Sequence, residues 1–147
     1  MKNTKARRVV CCIWIALLLA FIWGNSLCPA EVSASFSGAV LELIRKLIPG
    51  LFSGSGGTGH GTLRKIAHFF EFGMLGVALT WFWGMLKKHR LLPVCCAMAV
   101  AWIDEGIQIF VPGRGPAVRD VCIDTLGAAL GVFLLNAAYH LRKKRKK

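Results

Sequence analysis

Four apolar stretches constrain the fold of this chain more than any other feature. They raise the hydrophobic content of its 147 residues to 55% and lie at about residues 9–24, 64–86, 91–111 and 119–139. Because a helix rises about 1.5 Å per residue, roughly 20 residues cross the hydrocarbon core of a bilayer. The sequence therefore predicts a single all-α membrane domain over residues 1–147, polytopic, with four transmembrane helices.

The first apolar stretch is the shortest and has a second interpretation. Basic residues precede it, and small residues follow it around Val32, Ser33 and Ala34, which is the pattern of a cleaved signal peptide. Trp14 and Trp23 stand near its two ends, and tryptophans at these depths are typical of helices that stay in the membrane. We expect the first helix to be retained.

The net charge of +12 is distributed in a way that indicates membrane topology rather than nucleic-acid binding. If the N-terminus is cytoplasmic, the cytoplasmic segments, including the 87–90 turn and the tail 140–147, hold thirteen basic residues and no acid. The opposite side keeps six basic residues and all seven acids. This asymmetry places both termini in the cytoplasm. No groove-reading module is present, so we expect no nucleic-acid partner; the basic tail instead faces anionic lipid headgroups.

The predicted outer loop, residues 25–62, contains a short amphipathic helix over 36–48. Phe36, Val40 and Leu43 recur at helical spacing, with charged residues between them. The segment is too short and too charged to cross the bilayer, so we expect it to lie in the outer interface. The alternative is a helix that packs against the end of the bundle.

The six cysteines do not form the pattern of a secreted disulfide framework. Two pairs fall near the cytoplasmic ends of predicted spans, where thiols stay reduced, and small apolar packing residues are the simplest interpretation. Cys28 and Cys122 fall on the predicted outer side and could pair, although the sequence does not fix their separation.

Small residues mark the place where two of the predicted spans can approach closely. Gly73 and Gly76 thin the second span, and Gly127 and Gly131 form a small-xxx-small motif in the fourth. Such motifs allow helix backbones to come into contact inside a membrane. We expect a neighbouring helix to approach each of these two spans at its small residues.

Ionisable side chains enter the predicted spans at one end only, and we call this set the polar cluster. Each member lies within about two helical turns of the predicted outer surface. The orientation came from loop charges alone, so two independent features indicate the same side. The polar cluster consists of Arg64, Lys65, His68, Glu71, Asp104, Glu105, Gln108, Arg114, Arg119, Asp120 and Asp124.

Ionisable groups inside a membrane are costly and usually functional. Several neighbouring carboxylates cannot all ionise cheaply, so some are protonated, paired with a base or bound to a cation. Arg114 and Arg119 could grip a phosphate group, and His68 could move protons. We expect the cluster to bind an anionic lipid headgroup. No cofactor is predicted, although the acids could hold a divalent cation.

Two alternatives stay open. In the first, the protein is a membrane-embedded hydrolase or transferase that acts on a lipid-linked substrate, with one catalytic candidate as general base. The catalytic candidates are His68, Glu71, Asp104 and Glu105. Against this, no serine or cysteine stands at a recognisable nucleophile spacing. In the second alternative, the polar cluster is a salt-bridge network that holds three helices together without a ligand.

Four motifs in a fixed order give the chain a family resemblance. They read RKIAHFFE at 64–71, DEGIQ at 104–108, VPGR at 111–114 and DVCIDTLGAALG at 120–131. Together with a looser likeness around Asn25 and Ser26, they resemble the VanZ-like family over about residues 8–139. The members of this family are bacterial membrane proteins, and one of them is associated with low-level resistance to the glycopeptide teicoplanin.

The resemblance implies a context rather than a reaction. It implies a multi-pass protein of the bacterial plasma membrane in the context of glycopeptide sensitivity. Our functional hypothesis is that the polar cluster binds a component of the cell envelope, such as a lipid-linked wall precursor, and so affects that sensitivity. Two positions depart from the family pattern. Gly106 and Ile107 stand where relatives often carry leucine and histidine, so this chain lacks that histidine. Asp124 stands where some relatives carry asparagine.

Overall fold

The computed structural model describes residues 2–47, 59–86 and 91–145. These residues form five helices and no strand, so the predicted all-α class is confirmed. The predicted 87–90 turn lies outside the described residues, and the first part of the predicted tail continues the last helix. The helices are α1 (Lys2–Leu27), α2 (Ala30–Leu47), α3 (Gly59–Met85), α4 (Leu92–Gln108) and α5 (Val118–Lys144).

Three of the described helices are long and apolar enough to cross a bilayer. They are Thr4–Leu27 in α1, Gly61–Met85 in α3 and Val118–Lys144 in α5. The predicted span at 91–111 is occupied by α4, which has 17 residues. Its length is about 26 Å, somewhat less than a hydrocarbon core of about 30 Å. The helix ends early because two prolines and two glycines within 112–116 do not continue it.

α1 and α3 run antiparallel. At one end of the pair, the Arg8 side chain donates to the carbonyl oxygen of Met85 at 3.5 Å. At the other end, Asn25 Nδ2 donates to Glu71 Oε1 at 2.9 Å. The end of α1 therefore lies beside the first half of α3.

α3 and α5 run parallel. Lys65 meets Asp120 near the start of both helices, and Gly76 meets Ala128 farther along both. A chain that leaves α3 at one end and enters α5 at the other must return between them, and α4 makes this return. α4 therefore ends where α3 and α5 begin.

The contact between α3 and α5 is the closest in the bundle. A methyl group on Gly76 would overlap the carbonyl oxygen of Ala128, and methyl groups on Gly127 and Gly131 would overlap carbonyl oxygens of α3. Each glycine thus lets the neighbouring backbone occupy the volume of a side chain. The prediction that neighbouring helices approach these small residues is confirmed, and the structure shows that the two helices approach each other.

An apolar core surrounds α3, which packs against each of the other helices. Phe72 and Leu75 of α3 are completely buried, together with Ile22 of α1 and Ala101 of α4. On the outside of the bundle the large side chains are also apolar, and they are exposed along α1, α3, α4 and α5. A continuous apolar exterior is typical of a surface that contacts another apolar phase, which agrees with a membrane protein.

In the segment predicted as an outer loop, residues 25–62, the described parts 25–47 and 59–62 are mostly helical. α1 extends to Leu27, α2 begins at Ala30 rather than at residue 36, and α3 begins at Gly59. The Ala30 N–H donates to the Pro112 carbonyl oxygen at 3.3 Å, which fixes the start of α2 against the turn after α4. Farther along α2, Phe36 is 75% exposed.

Candidate functional site

Helical spacing gathers most of the polar cluster at one end of the bundle. Arg64, His68 and Glu71 are separated by four and three residues on α3, so they share a face. Asp104 and Gln108 stand one turn apart at the end of α4, and two aspartates stand one turn apart at the start of α5. Because α4 ends where α3 and α5 begin, these three groups meet.

Asp104 is completely buried within this group. Its Oδ2 atom accepts a hydrogen bond from Ser26 Oγ at 2.7 Å and another from Gln108 Nε2 at 3.1 Å. Its Oδ1 atom has no hydrogen-bond partner. The carboxylate is therefore held through one oxygen, and the other oxygen is available.

Asn25 and Ser26 belong to the site, although the site residues predicted from the sequence did not include them. Asn25 holds Glu71, and Ser26 holds Asp104. The signal that could have identified them is a polar pair that ends an otherwise apolar span. Both residues lie on α1, so cleavage near residue 32 would remove the donors to two buried carboxylates.

Two contacts fix the start of α5 against the other helices. Lys65 Nζ and Asp120 Oδ1 form an ion pair at 2.7 Å. Glu105 Oε2 accepts the backbone N–H of Ala117 at 2.6 Å. Ala117 is the N-cap residue of α5, and a glutamate within the helix often accepts this N–H in a capping box. Here a glutamate of the neighbouring helix does so instead.

A small cavity opens among these side chains, and we call it the polar pocket. The space inside it that a water-sized molecule can occupy is about 10 Å³. This is room for one water or one bare ion. At its wall, His68 Nδ1 lies 3.9 Å from Asp124 Oδ2. Donor atoms of His68, Asp104 and Asp124 all lie within 4.8 Å of one another. The pocket is lined by Arg64, Lys65, His68, Glu105, Gln108, Asp120, Ile123 and Asp124.

The turn between α4 and α5 carries Arg114. The backbone N–H of Arg114 donates to the Val111 carbonyl oxygen at 3.1 Å, and Gly113 has a φ of 74°, which glycine adopts readily. The Arg114 guanidinium is partly buried, and its Nε and Nη1 atoms have no acceptor. Burial and the positive charge of Arg64 lower the pKa of Arg114.

Four predicted site residues are absent from the lining of the polar pocket: Glu71, Asp104, Arg114 and Arg119. Glu71 and Asp104 are buried and Arg114 is partly buried, whereas the side chain of Arg119 is exposed. Its neighbour Asp120 does line the pocket, so the rotation of α5 about its axis turns Arg119 away from the site. The other predicted residues lie in the lining or next to it.

Comparison with known families follows the same segments. The family model described as VanZ/LLP1 matches residues 11–139, which is most of the chain. The chain belongs to the VanZ/LLP1 family. The resemblance drawn from the four motifs is thereby confirmed. Neither a curated protein nor a solved structure matches the chain.

In this VanZ/LLP1 protein the four motifs come together at one end of the bundle. The first lies on α3, the second on α4, the third on the following turn and the fourth on α5. Gly106, which departs from the pattern that the resemblance implies, has space for a Cβ atom, because such an atom would meet nothing within 4 Å.

The six cysteines of the VanZ/LLP1 protein are all free thiols in the structure. Cys28 is partly buried and Cys122 is exposed, and the pairing that the sequence left open is not formed. Cys11 is completely buried, with its Sγ atom 3.5 Å from the Ala78 carbonyl oxygen. It is a packing residue between α1 and α3.

Proposed function

We propose that the polar cluster of this VanZ/LLP1 protein, without the exposed Arg119, binds the anionic headgroup of a cell-envelope component, either a lipid-linked wall precursor or an anionic phospholipid. The observation that carries the proposal is the pair of buried Arg114 nitrogens without acceptors. A buried donor without an acceptor costs about 1–3 kcal/mol, and more when it is charged. A phosphate group offers the two oxygens that a guanidinium binds best.

Arg64 supports the same assignment. It lines the polar pocket, and its charge is close enough to lower the pKa of Arg114. Two guanidinium groups that destabilise each other are stabilised together by an anion placed between them. The small volume of the polar pocket leaves room for one water or one bare ion, so the headgroup itself stays at the mouth.

Unpaired atoms distinguish this proposal from a purely structural network. A network that only joins helices pairs its buried polar groups, as the great majority of buried groups in proteins are paired. Here the Nδ1 atom of His68, one oxygen each of Glu71 and Asp104, and two Arg114 nitrogens lack partners. These atoms belong to two helices, α3 and α4, and to the turn after α4, which meet at one place.

The membrane setting is part of the proposal. α4 returns the chain between two parallel spans, which supports four crossings of the bacterial plasma membrane with both termini cytoplasmic. The polar cluster then opens to the outer leaflet, where α2 lies in the interface with exposed Phe36 and Leu43 toward lipid. Binding of an envelope component at this place alters the sensitivity of the cell to glycopeptides such as teicoplanin.

Native mass spectrometry of the purified protein tests the proposal. The protein is released from nanodiscs that contain neutral lipid and either the lipid-linked wall precursor or phosphatidylglycerol, so the two sources of phosphate are distinguished. We expect one headgroup-bearing lipid per chain and at least a tenfold loss of bound lipid in Arg114→Gln. Arg119→Gln is the matched control, because the side chain of Arg119 is exposed, whereas that of Arg114 is partly buried with two unpaired nitrogens.

Three outcomes would overturn headgroup binding at the cluster. One is equal retention of both anionic lipids and the neutral lipid. Another is equal loss in the Arg114 and Arg119 variants. The third is turnover of the lipid-linked precursor that His68→Ala abolishes while the protein stays folded, which would establish the hydrolase or transferase alternative instead.

A further inference from the structure

We propose that His68, Asp104 and Asp124 bind one divalent cation, and that this cation holds the phosphate of the headgroup against the carboxylates. The three residues come from α3, α4 and α5, and a donor atom of each lies within 4.8 Å of the others. Two ligands of one ion, each about 2.1 Å from it, lie roughly 3–4 Å apart. The arrangement needs only small side-chain rotations to surround an ion.

The buried and unpaired donor atoms are an independent observation that indicates a ligand. Asp104 has 0% of its surface exposed and His68 has 8%. Asp104 Oδ1 and His68 Nδ1 are both inaccessible and both lack a hydrogen-bond partner. The distance of 3.9 Å between His68 Nδ1 and Asp124 Oδ2 is too long for a hydrogen bond, but it suits two ligands of the same ion.

Two residues donate hydrogen bonds to Asp104, as residues around a metal site do to a ligating carboxylate. Ser26 and Gln108 donate to the same oxygen, Oδ2, and so fix the plane of the carboxylate. Ligating carboxylates in metal sites are themselves held by hydrogen bonds of this kind, which set the direction of the free oxygen. The Asn25 amide holds Glu71 in the same way.

Charge balance favours a divalent cation. Within the polar cluster, without the exposed Arg119, five carboxylates face three basic side chains, a formal excess of two negative charges when the histidine is neutral. An uncompensated charge of this size is costly inside a membrane. The carboxylates are Glu71, Asp104, Glu105, Asp120 and Asp124, and the bases are Arg64, Lys65 and Arg114.

The donor set and the pocket size indicate which class of ion fits. One imidazole and two carboxylates suit Mn²⁺ or Zn²⁺, whereas Ca²⁺ takes six to eight oxygen ligands at longer distances. The polar pocket, which His68 and Asp124 line and Asp104 does not, has a free volume of about 10 Å³ for a water-sized molecule, so an ion held next to it must be compact. None of the six cysteines belongs to the group, so a soft thiolate site is not the arrangement here.

The role of the cation in holding phosphate rests on the proposed function, but cation binding itself is measurable without any lipid. The detergent-purified full chain is titrated with Mn²⁺, and bound ion is followed by electron paramagnetic resonance. We expect one Mn²⁺ per chain with nitrogen coupling from one histidine. Asp104→Asn and His68→Gln should each weaken binding at least tenfold, and His68→Gln should remove the nitrogen coupling.

Glu31→Gln is the matched control, because Glu31 is an exposed acid on α2 and its loss should leave Mn²⁺ affinity unchanged. Elution as a single species shows that each variant is folded. The nitrogen coupling in the unaltered chain needs no variant at all. Absence of bound Mn²⁺ at millimolar concentration, or bound Mn²⁺ without nitrogen coupling, would overturn the cation site.

The two proposals can fail separately. Lipid binding is repeated with and without a chelator, and we expect the chelator to reduce retention of the anionic lipid at least tenfold. If the protein binds Mn²⁺ but retains no lipid, the cation site is supported and headgroup binding is overturned. If a chelator does not change lipid retention, headgroup binding is supported and the bridging role of the cation is overturned.

Discussion

Ser26 donates the shortest of the hydrogen bonds to Asp104, at 2.7 Å, and both residues are completely buried. In Ser26→Ala the Asp104 carboxylate loses this donor, and no water replaces it in a site without accessible surface. A buried polar group that loses its partner costs about 1–3 kcal/mol. We therefore expect the free energy of unfolding to fall by about this amount, measured by reversible denaturation in detergent.

Ser35→Ala serves as the control for this change. Ser35 is exposed on α2, and its hydroxyl donates to the Val32 carbonyl oxygen of the same helix at 2.8 Å. Loss of such a bond should change the free energy of unfolding by less than about 0.5 kcal/mol. Equal effects in the two variants would show that the Ser26 contact does not hold Asp104.

Sequence reasoning identified the acids and bases of the site better than their neutral partners. An ionisable residue within an apolar run is conspicuous, because its cost in a membrane is high. Asn25 and Ser26 are less conspicuous, since polar residues at the end of a span are common. Arg119 was included for its charge, but its exposed position depends on the rotation of α5 about its axis, which the sequence does not specify.

At the scale of the helices, the glycines between α3 and α5 determine how the site is assembled. In Gly131→Ala the new methyl group would overlap the Gly73 carbonyl oxygen, so the two backbones must separate. Overpacking of this kind costs about 1–3 kcal/mol. We expect the free energy of unfolding to fall by about that amount, together with a weaker contact between His68 and Asp124 one to two turns away.

Gly84→Ala is the control for helix propensity. Gly84 also lies in α3, and a Cβ atom there would meet nothing within 4 Å. Replacing glycine by alanine inside a helix stabilises it by about 1 kcal/mol when nothing clashes. Equal denaturation midpoints of the unaltered chain and Gly131→Ala would contradict the close contact between α3 and α5.

The sequence predicted the order and the positions of the helices more reliably than their ends. Apolar periodicity indicates which residues can be buried, but it does not indicate where a turn begins. α4 ends at Gln108, because Pro112 and the neighbouring glycines form a turn that the apolar count of 91–111 did not reveal. α2 begins at Ala30 because the contact with Pro112 comes from a segment distant in sequence.

For the whole molecule, the directions of the helices determine which surfaces face the same side. α1 is antiparallel to α3, and α3 is parallel to α5, so the start of α1 and the end of α5 lie at one end of the bundle. The polar cluster lies at the other end. If α1, α3 and α5 cross the membrane, α4 must carry the chain across as well, even though it is shorter than the other three.

Single cysteines in a chain whose native cysteines are replaced test this topology. Gly115→Cys lies in the exposed turn after α4, and a Cβ atom there meets nothing within 4 Å. Lys5→Cys and Lys144→Cys mark the start of α1 and the end of α5. A membrane-impermeant maleimide should label Gly115→Cys in intact cells and should label the other two only after the membrane is opened. Labelling of Lys5→Cys and Lys144→Cys on opposite sides would mean three crossings, and the polar cluster would then lack the common outward face that headgroup binding requires.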